Sequence, residues 1–308
     1  AACHVFAKTV VRNIQNKPLP VFITSRLQAS GIASIHPVVD ILNYVMLDIG
    51  QPMHAYDLAK LSGALQVRKA DTECSFTALN DDQITVRPGE LLVCDDSDVQ
   101  ALAGIIGATA SKVNSETEAV LLEAAHFDMD LIRSTANRLN LHTDSSIRFS
   151  RFVDPSLPAA AVQIAANMIC EHLGASWDGL IDRTAQGEVE ARVIAITTEM
   201  INRKLGTEFN ATQCQDYLVR LGLAVTCDGP VMHVSIPPHR LGDLREAHDL
   251  IEEVIRIHGY DNLQPKPLDI SVKVDLPDFF LQQGRLRNNL IAQGFTECVT
   301  YAFVSKQM

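Results

Sequence analysis

The feature that most constrains the fold is a series of short apolar runs between residues 65 and 124, each separated from the next by turn-forming residues. Short apolar runs bounded by signals such as Pro88-Gly89 are typical of β-strands. This region therefore predicts a sheet built from short strands. We expect strands over residues 65–69, 83–87, 91–94, 102–106 and 120–124.

Apolar residues at helical spacing lie on both sides of these runs. They predict helices over residues 19–28 and 37–49 before the runs, and over residues 129–139 and 157–173 after them. Strands and helices that occupy separate stretches of one chain are typical of the α+β class. The first part of the sequence therefore predicts an α+β module with a mixed sheet.

The patterning resets at a polar segment over residues 183–190, which predicts a linker. A smaller α+β unit follows the linker. Beyond the proline-containing stretch 264–267, a helix over residues 279–293 and a strand over residues 297–303 predict the start of a third unit. We place the domains at residues 1–186, 190–263 and 268–308.

The composition limits the classes of protein. A chain with 47% hydrophobic and 20% charged residues can bury a core, and no apolar run approaches the roughly 20 residues of a membrane helix. A net charge of −11 disfavours a free-standing, non-specific nucleic-acid binder. The seven cysteines are scattered and form no CxxC motif. We therefore expect no zinc site, no disulfides and a reducing, cytoplasmic location.

Two residues are candidates for a functional site on chemical grounds. Glu123 lies within an apolar strand-like run, where an ionised carboxylate is costly unless a donor reaches it. Strand alternation leaves two alternatives, a side chain in solvent or one that lines a pocket. His54 follows a Gly-Gln-Pro turn, so we expect it on a loop, either as a solvated or capping residue or as part of a site.

Other polar and small residues leave similar alternatives. Gly104 and Gly107 could form an edge that a ligand approaches closely, or a tight turn between strands. Thr143 and Ser145 lie in a polar segment that could cap a helix or supply donors. Asn43 lies at the polar edge of an otherwise apolar helix. The residues alone leave each of these uses open.

Four carboxylates are spaced to converge in the second unit. Asp249, Glu252 and Glu253 share one face of a predicted helix, and Asp243 precedes that helix. Such a group is self-repelling unless a hard cation such as Mg²⁺ or Ca²⁺ lies among the carboxylates. The alternative is a solvated acidic face that nearby arginines partly neutralise.

Long motifs at residues 36–45, 50–57, 120–123, 141–155 and 250–262 keep their order along the whole chain. Together they resemble the beta subunit of bacterial phenylalanyl-tRNA synthetase. The resemblance implies a fused third and fourth domain that houses an editing site, and then a small, winged-helix-like fifth domain. The remaining residues would begin a truncated synthetase-like domain. The chain is then expected to be a fragment of a larger subunit.

The resemblance also implies partners and cofactors. It implies an α2β2 heterotetramer with the alpha subunit, which uses ATP to activate phenylalanine, and binding and charging of tRNA(Phe). This chain alone is not expected to aminoacylate tRNA. The resemblance further implies a magnesium site that is shared with the alpha subunit and formed by Asp243, Asp249, Glu252 and Glu253.

An editing site would hydrolyse mischarged Tyr-tRNA(Phe). A pocket shaped for phenylalanine rejects an analogue with one added hydroxyl by only about 10²-fold, so a second site has to remove the error. Glu123 matches the family position that accepts a hydrogen bond from the phenol, and phenylalanine would leave that carboxylate unpaired. Other matching positions are His54, Asn43 and Thr143, implied to position the ester and water, and Gly104 and Gly107, implied to contact the substrate. Ser145 lies in the floor of the same implied pocket and is also expected to contact the substrate.

Several positions depart from the family pattern. Ala33 stands where the family usually has arginine, Leu42 where it has threonine, and Ser145 where it has alanine. Loss of a cation and a hydroxyl would weaken capture of the tRNA end. These departures favour the alternative function, a scaffold that positions RNA within the heterotetramer and whose editing pocket is degenerate. Further replacements of family glycines are Ala103, Ala108 and Phe152.

Overall fold

The computed structural model describes residues 2–185, 191–265 and 277–307. Contacts divide the chain into two compact units, Ala1–Tyr260 and Asp261–Met308. Within the first unit, we call residues 2–185 the first module and residues 191–260 the second module. The predicted domain boundaries stay a prediction, and part of the predicted linker, residues 186–190, lies outside the described residues.

The first module contains long strands at its two ends and short strands between them. Its elements in chain order are β1 (Cys3–Val11), α1 (Val21–Ala29), α2 (Pro37–Ile49), β2 (Met53–Asp57), β3 (Gln66–Lys69), β4 (Cys74–Thr77), β5 (Gln83–Val86), β6 (Leu91–Cys94), β7 (Val99–Leu102), β8 (Ile106–Gly107), β9 (Val120–Phe127), α3 (Met129–Leu139), α4 (Asp144–Phe149), α5 (Leu157–Leu173) and β10 (Asp182–Ala185).

Local signals explain where the helices begin and end. Helix α2 begins with a proline in its first turn and ends at Gly50, whose φ of 81° favours glycine. At α3, the Asp128 carboxylate accepts the backbone N–H groups of Asp130 and Leu131 at 3.1 and 3.0 Å. The helices predicted over residues 37–49, 129–139 and 157–173 are confirmed.

Four strands form what we call the central sheet, in the order β10-β1-β9-β2, and all of its neighbouring strands are antiparallel. One face packs against α2 and α5 through residues such as Leu122 and Ala124. The other face, which includes Phe6 and Phe127, packs towards the strands β6 and β7 and helices α3 and α4. Because both faces are covered around β9, a polar side chain on that strand lies inside the protein.

A second sheet has the order β3-β6-β7-β8, and β4 pairs with β5 in a separate hairpin. The described strand pairs of the first module are all antiparallel. The α+β class is therefore confirmed, but the expected mixed sheet is corrected to antiparallel sheets. Most neighbouring strands of the second sheet are joined by short turns, which produce antiparallel pairs.

The second module has a three-stranded antiparallel sheet, in the order β11-β13-β12, with three helices. Two helices precede the hairpin of β12 and β13, and one follows it. Its core contains buried residues of the sheet and helices such as Ile196, Leu218 and Val254. The elements are β11 (Arg192–Thr197), α6 (Thr198–Leu205), α7 (Ala211–Arg220), β12 (Ala224–Asp228), β13 (Val231–Ile236) and α8 (Ala247–His258).

The described residues of the second unit contain one long helix, α9 (Asp278–Ala292). The strand predicted over residues 297–303 is wrong, because these residues form no regular secondary structure. A strand requires a hydrogen-bonded neighbour, and none of the described strand pairs includes this segment. No helix in the described ranges is both long and apolar enough to cross a bilayer.

Two predictions in the first module are also corrected. The strand predicted over residues 102–106 is instead the end of β7, a turn and the start of β8, because the chain reverses at Ala103–Ile105 to pair the two strands. The linker predicted to begin at residue 183 is occupied up to residue 185 by β10, which pairs with β1. Polar composition here marks an edge strand rather than a linker.

Candidate functional site

A cavity of about 370 Å³ lies between the central sheet, the second sheet and helices α2 and α4. Strand β2 and strand β9 contribute one wall, and the turn between β7 and β8 contributes another. All seven residues predicted for catalysis or substrate binding line this cavity. They are Asn43, His54, Gly104, Gly107, Glu123, Thr143 and Ser145.

The register of the central sheet brings charged and titratable groups together. Glu123 on β9 lies directly opposite Lys8 on β1 and opposite His54 on β2. Directly opposed residues of antiparallel strands project from the same face. These residues therefore share the face that borders the cavity, and the first of the two alternatives for Glu123, a side chain in solvent, is excluded, because only 5% of the residue is exposed.

The Glu123 carboxyl group is bonded to a residue that the sequence analysis missed. The hydroxyl of Tyr56, a fully buried side chain on β2, donates a hydrogen bond to Oε2 of Glu123. Burial raises the pKa of Glu123 to about 7, although the Tyr56 hydrogen bond and the Lys8 charge act to lower it. Near neutral pH this carboxyl group can therefore be either a donor or an acceptor.

His54 lies within β2, so its predicted position on a loop is corrected. The Gly-Gln-Pro turn ends before Met53, and pairing of β2 with β9 extends the strand through the histidine. Burial lowers the pKa of His54 to about 4, which keeps the imidazole neutral at physiological pH. Its ring contacts the ring of Tyr56 edge to face, with centroids 4.5 Å apart.

The two glycines make room for protein side chains at the cavity wall. A Cβ atom at Gly107 would lie 2.6 Å from Cε1 of His54, which no normal contact allows. At Gly104 the φ of 67° favours glycine, and a Cβ would lie 3.0 Å from the rings of Phe127 and Phe149. The glycines are therefore required by internal packing, whatever contact they also make with a ligand.

Thr143 is the residue that precedes α4 and caps it. Its hydroxyl donates to the carbonyl oxygen of Ile105 at 2.8 Å and accepts the N–H of Ser146 at 3.1 Å. These bonds tie α4 to the β7–β8 turn, and they use the hydroxyl proton. Within the described residues, the Asn43 and Ser145 side chains make no hydrogen bond, so their polar groups are available to the cavity.

The departures from the family pattern lie at different distances from the cavity. Ser145 lines it, whereas Ala33 and Leu42 do not. Leu42 is 4% exposed and packs in the core beneath α2. The leucine therefore changes the helix core rather than the cavity wall.

The predicted metal ligands are arranged as ion pairs. Arg240 contacts Asp243 at 2.7 Å and Glu253 at 2.5 Å, and Arg256 also pairs with Glu253. The Asp249 carboxylate accepts two backbone N–H groups at 2.8 Å.

Glu252 accepts a hydrogen bond from the hydroxyl of Tyr260. Among the residues that the structure describes, no group of three or more histidine, cysteine or acidic side chains is placed to hold a metal ion. The four carboxylates of this chain therefore do not fit a magnesium ion as they are placed, and the magnesium site stays a prediction.

Chemically, the cavity can bind a ligand that offers one donor to a buried carboxyl group and an uncharged surface elsewhere. It presents the buried Glu123 carboxyl group, the Asp144 carboxylate, a neutral imidazole, an amide and several hydroxyl groups within a largely apolar wall. A pocket of this kind is suited to an aromatic ring that carries a single polar group.

Comparisons with known proteins show the family to which the chain belongs. The family model described as "B3/4 domain" matches residues 2–174, and the model described as "tRNA synthetase B5 domain" matches residues 194–260. The fold and cavity thus belong to a B3/4 domain that is followed by a B5 domain. The chain belongs to the family of phenylalanyl-tRNA synthetase beta subunits.

Curated relatives are similar over the whole chain. The phenylalanine–tRNA ligase beta subunit of Coxiella burnetii is 36% identical over 310 residues, which cover 100% of this chain and 39% of that protein. The beta subunit of Acinetobacter baylyi is 35% identical and covers 97% of this chain and 38% of that protein. The chain therefore spans about two fifths of the length of these relatives.

Similarity to a solved structure is weaker. The crystal structure of an N-terminal fragment of the phenylalanyl-tRNA synthetase beta subunit from Pyrococcus horikoshii matches with a TM-score of 0.38 and 13% identity. The match covers 83% of this chain and 71% of that chain. This similarity is too low to support a conclusion about the cavity.

Proposed function

We propose that the cavity is an editing site that hydrolyses Tyr-tRNA(Phe). The observation that supports this most directly is that Asn43, His54, Glu123 and Thr143, from four different segments of the chain, line one cavity. A buried carboxyl group in that cavity offers a partner to a phenol, whereas a phenyl ring would leave the same group without one. The pocket would therefore favour tyrosine over phenylalanine, the reverse of the selectivity needed for charging.

The reaction is a simple ester hydrolysis. Water adds to the acyl carbon, the bond from that carbon to the ribose oxygen breaks, the ribose oxygen gains a proton, and free tyrosine leaves. A histidine whose pKa is about 4 is a weak proton acceptor at neutral pH. His54 and Asn43 would therefore act by holding the ester and the water in place.

The wider role follows from the family. We infer that the full-length subunit assembles with the alpha subunit as an α2β2 heterotetramer that charges tRNA(Phe), with ATP used by the alpha subunit. The chain has a net charge of −11, so most of the positive charge that contacts tRNA would come from local patches or from other parts of the assembly.

The test uses the full-length subunit in its assembled enzyme and tRNA(Phe) mischarged with tyrosine. Glu123→Gln should slow tyrosine release by about 10- to 100-fold, the loss expected for a hydrogen bond to a charged group. Glu171→Gln, on the exposed side of α5, is the matched control and should have no effect. Release no faster than the spontaneous rate in the wild type would reject an editing function.

The second candidate is a scaffold that positions RNA and has no hydrolytic activity. Two observations favour it, the hydrogen bond that already occupies Oε2 of Glu123 and the donation of the Thr143 hydroxyl proton to the Ile105 carbonyl oxygen. A scaffold would leave Tyr-tRNA(Phe) intact, and Glu123→Gln would then leave both charging and tyrosine release unchanged.

A further inference from the structure

Tyr56 is the closest polar partner of the carboxyl group on which the proposed specificity depends. Its ring is fully buried on β2, two residues after His54, and its hydroxyl donates to Oε2 of Glu123. The two side chains lie on the same face of the central sheet, because Tyr56 is opposite Leu121 and His54 is opposite Glu123. Strand pairing therefore fixes the hydroxyl against the carboxyl group.

The second carboxyl oxygen is free for a ligand. Within the described residues, Oε1 of Glu123 makes no hydrogen bond, and it is not among the side-chain atoms that are both buried and unpartnered. Glu123 lines the cavity, so Oε1 is accessible from that side. Lys8 does not compete for it, since its ammonium group contacts the Leu65 carbonyl oxygen and Asp182, both at 3.0 Å.

Resting on the proposed editing function, we propose that Tyr56 is a positioning residue for specificity. It holds one oxygen of Glu123, presents the other to the phenol of a tyrosyl ester, and sets the pH range in which the pocket selects phenols. The carboxyl group accepts two phenolic donors when tyrosine is bound, one from the protein and one from the ligand. With a phenylalanyl ester, the oxygen that faces the cavity has no donor.

The His54, Cys3 and Tyr56 side chains keep a constant charge while Glu123 titrates. His54 is neutral above about pH 4, and burial raises the pKa of the Cys3 thiol to about 12. Burial and the Glu123 charge raise the pKa of Tyr56 well above its usual range, so its hydroxyl remains a donor. The other titratable groups that face Glu123 or the same cavity are Lys8 on β1, Cys94 on β6, and Asp144, which pairs with Arg148 on α4.

The Tyr56 hydrogen bond favours the ionised form of Glu123. Tyr56→Phe removes that bond and leaves the ring in place, so the carboxyl group should ionise at a pH about one to two units higher. The selectivity for tyrosyl over phenylalanyl ester should then fall by roughly threefold to 25-fold near pH 7.5, and it should recover at higher pH.

The experiment measures tyrosine and phenylalanine release from the two tRNA(Phe) esters between pH 6 and 9, with the full-length subunit in its assembled enzyme. The rate of tyrosine release is divided by the rate of phenylalanine release, because spontaneous hydrolysis of the two esters depends on pH in the same way. Tyr217→Phe is the matched control, because it also removes a phenol hydroxyl bond, at 3.0 Å to His258, but in the second module. Thermal unfolding checks that each variant is folded.

The expected result is a ratio whose pH midpoint moves upward in Tyr56→Phe and does not move in Tyr217→Phe. In the Glu123→Gln background, the ratio should show no midpoint with or without Tyr56→Phe, because residue 123 no longer titrates. A wild type that selects tyrosine while Tyr56→Phe keeps the same midpoint would overturn this inference alone. A wild type that releases no tyrosine would overturn the proposed function and this inference with it.

Discussion

At the scale of single residues, Glu123 is tolerated inside an apolar sheet because its acid form is favoured there. Burial raises its pKa to about 7 from an ordinary value of 4.5, and Tyr56 supplies a hydrogen bond. The folded state therefore binds this proton more tightly than the unfolded chain does. The stability that the proton contributes is fully present below pH 4.5 and is lost as the pH rises through about 7.

The first prediction follows from the upward direction of this pKa shift. Glu123→Gln mimics the protonated acid, so the variant and the wild type should have similar free energies of unfolding near pH 5. At pH 8 the wild type should be less stable than the variant by up to about 3 kcal/mol. Denaturant unfolding at both pH values measures the difference, and subtracting the variant removes the opposite contributions of His54 and His126, whose pKa values burial lowers to about 4.

The control for this comparison is Glu171→Gln. Because Glu171 is exposed, the free energy of unfolding of this variant should differ from that of the wild type by the same amount at both pH values. If Glu123→Gln were equally destabilising at pH 5 and at pH 8, then Glu123 would be an ordinary ionised group in the folded protein. The account of a buried carboxyl group with a raised pKa would then fail.

The second prediction concerns Gly107. Alanine at this position would place its Cβ 2.6 Å from the His54 ring and 3.0 Å from Leu79, so the imidazole has to move. We expect Gly107→Ala to reduce tyrosine release at least tenfold and to cost about 1–3 kcal/mol of stability. Release and thermal unfolding would be measured together.

Gly284→Ala is the matched control, because no atom lies within 4 Å of its Cβ position in helix α9. This substitution should stabilise the helix by up to about 1 kcal/mol and leave release unchanged. Normal release by Gly107→Ala would show that the position of His54 is not needed.

The sequence predicted the seven cavity residues through the resemblance, but it did not predict Tyr56. In a strand, residues 54 and 56 lie on the same face, because side chains alternate with a period of two. We expected His54 on a loop, and a loop gives no such relation between the two residues. Glu123 is buried because both faces of the central sheet are covered. The covering elements are distant in sequence, so the local pattern around Glu123 does not predict its burial.

At the scale of elements, α2, α3 and α5 were predicted well because the ends of helices carry local signals, whereas the short helix α4 was not predicted. The caps at Asp128 and Gly50 lie within a few residues of the groups that they satisfy. Strands depend on partners that are distant in sequence, and both the strand over residues 102–106 and the one over residues 297–303 were wrong for that reason. The predicted linker was too long at its start for the same reason, because residues 182–185 form β10 and pair with β1 at the opposite end of the module's sequence.

The third prediction concerns α8 and the arginine that pairs with its acidic side chains. Glu253 is 7% exposed and depends on Arg240 and Arg256 for compensation. Arg240→Gln should destabilise the protein by about 1–3 kcal/mol, because a buried carboxylate loses one of its two cationic partners. Arg220→Gln is the control, since Arg220 pairs with Asp216 at 3.9 Å on the surface and should contribute less than about 1 kcal/mol.

Thermal unfolding measures the stability of both variants, and the same experiment tests the predicted magnesium site. With the carboxylates already paired, added Mg²⁺ should leave the melting temperature of the wild-type chain unchanged. A clear increase with Mg²⁺, or a stability of Arg240→Gln equal to that of the wild type, would contradict the ion-pair arrangement.

At the scale of the whole molecule, the first and second modules are in contact through Phe152. This residue has a φ of 85°, which is strained for any side chain with a Cβ, and its ring lies so close to Gly242 that a Cβ there would be 2.5 Å away. The same ring packs edge to face against His126, with centroids 5.3 Å apart. Tertiary contact between the modules therefore maintains an unfavourable backbone conformation.

The fourth prediction follows from this contact. Phe152→Ala removes the ring while the backbone strain remains, so the two modules should unfold in separate transitions where the wild type unfolds in one. Differential scanning calorimetry measures this. Phe22→Ala, which removes a half-exposed ring from α1, should leave a single transition. A single unshifted transition in Phe152→Ala would show that this contact does not couple the modules.

The central claim is that the cavity around Glu123 recognises a phenol and promotes hydrolysis of the ester that carries it. The most direct test is the release of tyrosine and phenylalanine from an equal mixture of Tyr-tRNA(Phe) and Phe-tRNA(Phe), followed in one reaction with the full-length enzyme at pH 8. The account predicts rapid loss of the tyrosyl ester, with the phenylalanyl ester largely retained, and loss of this preference in Glu123→Gln. Equal release of the two amino acids, or release at the spontaneous rate, would contradict it.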